Sequence, residues 1–508
     1  MPAHIVCLLI PAWGHAVPYI QIATQLIQRD PALVITIVQH NVLVAQMEEE
    51  LRRYAYDSSR LRLIGVGSKQ ITPGPKFLGE ALKEIADGWM GFLPELAEGS
   101  DEWPTPRTIH MDFFGGGYVV EQTKETLGPT VKILVWWSTA LVSMHGLLNR
   151  YDNAVIAQEI HDDEQRRAGR SLEDILDAVT LAANGTDKLA GEIVKNPGLS
   201  DMYDYEQTPF AAGLRPPIIG TRFAAAQKLA KLADGYIVPT STCLEPVGVP
   251  YYKEYYKARG QELFTIGVQV QENFWQHGTD PISSVGNRTI EEFLSKSVRE
   301  YGHKSVLYIS FGSVFFPIMT PDLIQALVQT LLDLPQPFPF LFVLGSKLAA
   351  MSLPAELIQR VNASGRGLIF GSWVNQGAIL RSGAVGWFLA HGGFNSIGES
   401  LSLGIPLIFW PVAAEQSINA ALLASDPNPV ALELFQVRVG PQRAPSLRTS
   451  VAITGSVVAA EEEFRATFAE ARGERGGDLR ANAEGLAKKL REVRGGEGRT
   501  ELQRLAGF

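Results

Sequence analysis

The sequence predicts an α/β protein built from two doubly wound parallel sheets that face a cleft. Apolar runs of strand length alternate with helical periodicity through both halves, and the first forty residues read as one strand–helix–strand unit. A turn-rich, aperiodic break at about residues 268–290 separates the halves. At 508 residues the chain is too long for one ordinary core, so two domains are expected.

The elements follow in order. "HIVCLLI" is a continuous apolar run, "VPYIQIATQLIQR" places Ile20, Ala23 and Ile27 on one helical face, and "LVITIV" is a second β-rich run. The junction "PAWGHAVP" lies at the carboxyl end of the first strand, where open α/β sheets bind ligands. "TIHMDFF" and "KILVWWSTA" continue the sheet, and "GYIVPTS" and "LFTIG" close this half. Residues 151–222 differ: they are helical and mixed in charge, then loop-like at "GLRPPIIG", and read as a lid or insertion. In the second half "SVLYISFG", "FPFLFVLG", "GLIFGSW", "AVGWFLAHGG" and "IPLIFWPV" are strands. Thr320 is the expected N-cap of a helix with Pro321 at its first position. A charged helical tail follows from about residue 460.

Composition excludes several classes. The chain is 46% hydrophobic and carries a net charge of −9 with no basic stripe, which argues against nucleic acid. Two cysteines, Cys7 and Cys243, allow neither a disulfide framework nor a cysteine zinc site and fit a reducing compartment. The opening "MPAHIVCLLIPAWGH" lacks the basic region of a targeting segment, and no apolar run is long enough to span a membrane. The expectation is a soluble, cytoplasmic protein.

The polar residues at the ends of these runs carry the chemistry. In "HGGFNSIGES" a strand ends at His391, two glycines turn the backbone, and Asn395 and Ser396 open a helix whose N–H groups suit an anion. Ser396 and Glu399 also spell a capping box, which needs no ligand. From Trp373 to Ala420 the chain resembles the signature box of the UDP-dependent glycosyltransferases that act on small lipophilic acceptors. The matching residues are Trp373, Gln376, His391, Gly393, Asn395, Ser396, Glu399, Gly404, Pro406, Glu415, Gln416, Asn419 and Ala420. "YISFGS", "ADGYIVPTSTCLEP" and the first strand–helix–strand unit extend the likeness over nearly the whole chain.

The resemblance implies the GT-B fold, two Rossmann-like domains. Residues 1–270 would bind acceptor, 271–290 link, 291–475 bind the UDP-sugar, and 476–508 pack back on the amino-terminal domain. Trp373 would stack on uracil and the Val374 backbone bond its edge. Gln376 and Glu399 would hold the ribose, Ser313, His391, Asn395 and Ser396 would line the diphosphate, and Gly14 and Gly393 would be further donor contacts. Glu415 and Gln416 would grip the sugar hydroxyls. Two departures stand out: Phe394 replaces a common Trp, removing one sugar contact, and Asn375 replaces a common Pro, which is expected to loosen a turn.

Transfer to a hydroxyl needs a base. His15 is the candidate at the mouth of the first strand, unless it merely caps the following helix; an imidazole base needs an orienting carboxylate, and the resemblance implies Asp112 for that role. His110, two residues before Asp112, is a weaker rival read as packing. The chain has no Asp-x-Asp, so no metal and no cofactor beyond the UDP-sugar co-substrate is expected. In-line attack would invert the anomeric centre. Trp13, Trp89, Phe113, Trp136 and Met144 are candidate acceptor contacts, with only some of them expected to face the cleft. The expected activity is a monomeric UDP-glucosyltransferase. UDP-xylose, another UDP-sugar, or a nucleotide-sugar 2-epimerase of the same fold remain as alternatives.

Overall fold

The computed structural model describes residues 3–69, 77–148, 151–183, 191–207, 219–276, 278–312, 316–345, 349 and 353–508. In the first half the strands are β1 (Ala3–Leu8), β2 (Leu33–His40), β3 (Leu61–Val66), β4 (Thr108–Asp112) and β5 (Lys132–Trp136). A short antiparallel pair follows, β6 (Ile193–Val194) with β7 (Met202–Tyr203), and then β8 (Gly235–Val238) and β9 (Glu262–Thr265). The second half holds β10 (Val306–Ser310), β11 (Phe340–Val343), β12 (Gly367–Phe370), β13 (Val385–Ala390), β14 (Leu407–Phe409) and β15 (Ala431–Glu433).

Two parallel sheets result, ordered β3-β2-β1-β4-β5-β8-β9 and β12-β11-β10-β13-β14-β15. Helices cover both faces, so central strands are buried on both sides; Ile5, Val6, Cys7 and Leu8 of β1 have no exposed surface. That explains why these strands read as unbroken apolar runs. The order reverses direction between β1 and β4 and again between β10 and β13. Such switch points leave a crevice at the carboxyl ends of their strands. Leu8 pairs with Met111 and Ser310 with Ala390, so the loops after these four strands sit side by side in two pairs.

Helix Trp13–Arg29 packs Tyr19, Ile20, Ala23, Leu26 and Ile27 into the first core and places Arg29 in its last turn, where a cation suits the helix dipole. Helix Pro321–Asp333 starts as its proline requires, although Thr320 makes no side-chain cap and bonds the Pro317 carbonyl instead. No helix of the described residues is long and apolar enough to cross a membrane.

The described parts of 151–222 are helices Asn153–Asp162, Glu164–Arg167, Leu172–Ala183 and Asp204–Gln207, the start of helix Ile219–Leu232, and the β6–β7 pair. Residues 184–190 and 208–218 of this segment lie outside the described residues. Its far end is moored to the second half. Buried Glu206 meets Arg438 at 3.3 Å, and Arg438 and Arg448 both bond Glu433, at 2.8 and 3.0 Å. Breaking one member of such a buried network strands the others' charges.

Two helices after residue 473 straddle the halves. Helix Glu474–Gly495 packs on helix Phe394–Ser402, whereas helix Glu497–Gly507 packs on helix Trp13–Arg29 and on β9. Leu502, Leu505 and Ala506 complete the core formed by Ile5, Tyr19, Ile20 and Phe264, and the Arg107 guanidinium bonds the Ala506 carbonyl. Leu505→Ala is therefore expected to cost about 2–5 kcal/mol, measured by denaturant unfolding. Deleting residues 478–508 should lower both stability and activity; an equally stable truncation would show these contacts to be dispensable.

Candidate active site

The loops at the first switch point bring His15 and Asp112 together. His15 Nδ1 donates to Asp112 Oδ2 at 2.7 Å, with the imidazole 20% exposed and the carboxylate wholly buried. A short bond to a carboxylate fixes the tautomer and leaves Nε2 as the free lone pair. Asp112 is held in turn, since its Oδ1 accepts the Phe114 N–H at 3.1 Å. Phe113 stacks on the imidazole at 5.5 Å, and the Trp136 indole N–H holds the His15 carbonyl at 3.1 Å. Helix Trp13–Arg29 has Ala12 as its N-cap, so His15 lies inside the first turn and does not cap it. Burial alone would lower the His15 pKa, but the charge and hydrogen bond of Asp112 and the charge of Glu415 outweigh it and raise it above 6.5.

His110 is no rival. It is fully buried, shares a 2.6 Å hydrogen bond with the Tyr19 hydroxyl, and is pushed down to about 3 by burial and then by Arg107.

The second switch point gathers the other group. Gly312 follows β10 with φ +72°, and a Cβ there would come within 2.9 Å of the His391 ring. Gly392 follows β13 with φ +96°, and Gly393 is the N-cap of helix Phe394–Ser402. That start excludes the capping-box reading: Ser396 is already the third helical residue, and Glu399 bonds Gln376, not the cap. Gln376 Nε2 donates to Glu399 Oε2 at 2.6 Å, while the Tyr308 hydroxyl donates to Gln376 Oε1 at 3.2 Å. Burial raises Glu399 to about 7; the Gln376 amide opposes this and the charge of Glu50 adds to it. His391 is buried, pushed down to about 4 by burial, and its Nδ1 has no partner among the described residues.

The two groups touch. Asn395 Nδ2 donates to the Gly14 carbonyl at 3.0 Å, and Asn419 Nδ2 reaches the Gly392 carbonyl at 2.9 Å and Thr139 Oγ1 at 3.4 Å. Glu415 is the N-cap of helix Gln416–Ala424 yet makes no side-chain cap bond. Burial raises its pKa, while its own backbone N–H, His15 and Thr139 favour its charged form. Ala414 before it has φ 54°, a strained backbone of the kind that collects at ligand sites. Gln416 braces this turn, its Oε1 accepting from Val412 and Ala413 N–H at 2.8 and 2.9 Å, which leaves only its amide N–H groups for a ligand.

Several expectations are corrected. Trp89 has no exposed surface and gives its indole N–H to Thr123 at 2.9 Å, and Met144 is closed off likewise, so neither offers a wall to an acceptor. Trp136 is also fully buried, and its role is to hold the His15 backbone. Trp13 packs partly buried against the first core. Asn375 does not loosen its turn: its side chain caps helix Gln376–Arg381 by accepting from Ala378 N–H at 3.1 Å. Trp373 stands 65% exposed beside buried Val374. Ser313 lies outside the described residues. Thr139 was missed, since a single hydroxyl in a loop carries no sequence signature. Among the described residues no three His, Cys, Asp or Glu side chains gather as a metal-binding group.

Residues 283–438 match the family model of UDP-glucoronosyl and UDP-glucosyl transferases. Along its length the chain is 25% identical to UDP-glycosyltransferase eriJ of Hericium erinaceus, covering 99% of this chain and 97% of that one. The chain is thus similar to the UDP-glycosyltransferases, over its second half by the family model and along its length by this relative. A second relative is nuatigenin 3-beta-glucosyltransferase of Solanum aculeatissimum, 32% identical over 37% of each chain. The GT-B fold is shared with Phytolacca americana UGT2, solved with UDP-2fluoro-glucose and pterostilbene. Its TM-score is 0.68 at 19% identity, covering 100% of this chain and 99% of that one. Medicago truncatula UGT71G1, solved with UDP-glucose, gives 0.67 at 18% identity, covering 100% and 98%. These comparisons lend no support to an epimerase.

Glu399 gives the chain a pH signature. Its folded pKa of about 7 against an ordinary 4.5 means that stability is lost as pH rises from 4.5 through 7. Glu399→Gln cannot ionise and escapes that loss. Its gain in thermal midpoint over the parent should be largest above pH 7 and vanish below pH 4.5.

Proposed function

We propose that this chain transfers glucose from UDP-glucose to a hydroxyl of a small lipophilic acceptor, with inversion at the anomeric carbon. The observation that carries the reading is the 2.7 Å His15–Asp112 pair lying within electrostatic reach of Glu415 from the other half. His15 Nε2 takes the acceptor proton as the hydroxyl oxygen attacks the anomeric carbon. The bond to the diphosphate then breaks on the opposite face, giving a β-glycoside from an α-linked donor. Asp112 keeps the imidazole in the right tautomer and stabilises its charged form.

In this reading Trp373, exposed beside Val374, receives the uracil, and Gln376 with Glu399, bonded to each other, the ribose. The N–H groups opening helix Phe394–Ser402, with Asn395, Ser396 and His391, meet the charge that develops on the leaving diphosphate. In this reading no metal is required for that task. Glu415 and the Gln416 amide face the sugar hydroxyls, and Phe113 lines the acceptor side next to His15. Glucose is favoured by the relative named for 3-beta-glucosyl transfer and by the UDP-glucose complex of a structural neighbour. Two free cysteines, one buried and one partly so, fit work in the cytoplasm, and we take the monomer as the working unit.

A panel of UDP-sugars with a small phenol, read by mass spectrometry, tests the donor; turnover with UDP-xylose and not UDP-glucose would overturn it. His15→Ala should lower transfer by about 10²–10⁴-fold with UDP affinity unchanged. Because His15 works unprotonated and its pKa is raised, the acid limb of kcat/KM should lie above pH 6.5. Asp112→Asn removes the raising charge, so that limb should move to lower pH while the plateau falls. Glu415→Ala should weaken UDP-glucose by about 1.5–3 kcal/mol, roughly ten- to hundredfold, and leave inhibition by UDP nearly unchanged. Equal loss for both ligands would remove Glu415 from the sugar site.

A further inference from the structure

A cavity lies where helix Trp13–Arg29 ends, against the segment joining the sheets and the junction of helices Glu474–Gly495 and Glu497–Gly507. Its volume is about 530 Å³, and its lining includes Gln28, Arg29, Trp275, Arg491, Arg494 and Arg499. The helical rise separates Arg29 from His15 by about 20 Å, so this cavity is remote from the candidate active site.

Four guanidinium groups share this lining, in a chain whose net charge is −9. Only Arg494 is neutralised: it pairs with Glu272 and lies over the Trp275 ring at 5.0 Å. Arg29, Arg491 and Arg499 have no carboxylate partner among the described residues. The neighbouring acids are engaged elsewhere, Glu501 with Lys253 at 2.8 Å and Glu497 with Thr242 at 2.6 Å. Arg29 gives one N–H to the Gln25 carbonyl at 2.9 Å and another to the Gln25 side-chain oxygen at 3.4 Å, and Arg491 gives one to the Ser402 carbonyl at 3.2 Å. Each still buries an Nε donor with no acceptor among the described residues. Burial lowers the Arg29 pKa, the charges of Arg499 and Arg494 add to that, and Glu272 opposes it.

Unpaired buried donors and unopposed charges both cost stability unless an anion completes them. Planar guanidinium forks converging from three elements suit the several oxygens of a phosphate compound better than a single carboxylate. We propose that this cavity binds a soluble, multiply charged phosphate anion that ties helix Trp13–Arg29, the inter-sheet segment and the closing helices together. The site stands independently of the reaction assigned to the cleft.

Calorimetric titration with inorganic pyrophosphate, at constant ionic strength and with UDP saturating the cleft, tests it. The expected result is one pyrophosphate per chain, with a matching rise in thermal midpoint. Arg499→Gln, an exposed position that leaves the core alone, should weaken pyrophosphate by about tenfold or more while UDP affinity stays unchanged. Arg29→Gln should do the same, and Arg499→Lys should weaken it less than Arg499→Gln. The proposal is overturned if saturating UDP abolishes pyrophosphate binding, if the Gln variants bind it as the parent does, or if sulfate binds equally well.

Discussion

Because every strand pair in the two large sheets is parallel, each strand must return through a crossover before the next can begin. All turns that follow strands therefore collect at one edge of each sheet. At two places in the strand order the crossovers diverge, and there His15 meets Asp112 while Gly312 meets His391. The bonds from Asn395 to Gly14 and from Asn419 toward Thr139 join these two edges. Residues hundreds of positions apart become one constellation through strand direction alone.

Electrostatics then differentiates residues of similar chemistry. His15, His110 and His391 all lie near strand ends, yet only His15 faces carboxylates on two sides and keeps some solvent contact. His110 and His391 are driven toward the neutral form by burial. The carboxylates divide likewise: Asp112 is locked to an imidazole and a backbone N–H, whereas Glu399 and Glu415 are kept raised by burial, as groups waiting for partners would be.

The alternation of strands and helices was legible because doubly covered strands must be continuous apolar runs, as "HIVCLLI" and "AVGWFLA" are. The pairing of His15 with Asp112, 97 positions apart, rested on resemblance, since no local pattern encodes it. Other features were illegible for physical reasons. Ser396 and Glu399 have the spacing of a capping box, and only the position of the helix start, at Phe394, decides against it. Aromatic residues such as Trp89 and Phe113 look alike in sequence, but one points between helices and the other at an imidazole. Asn375 and Gln416 look like ligand residues, and each uses its side-chain oxygen to hold its own turn.

The placement of helix Glu497–Gly507 on the first sheet bears on how the chain is made. More than two hundred residues separate Thr265, where that sheet ends, from Glu497. At ordinary ribosomal speeds this is a delay of roughly ten to fifty seconds. Throughout it, the core that Leu502 and Leu505 share with Ile20, Ile27 and Phe264 lacks that part of its cover. The first sheet is thus sealed by a helix synthesised long after it, and until then the nascent chain displays a sticky apolar surface that a chaperone is suited to shield.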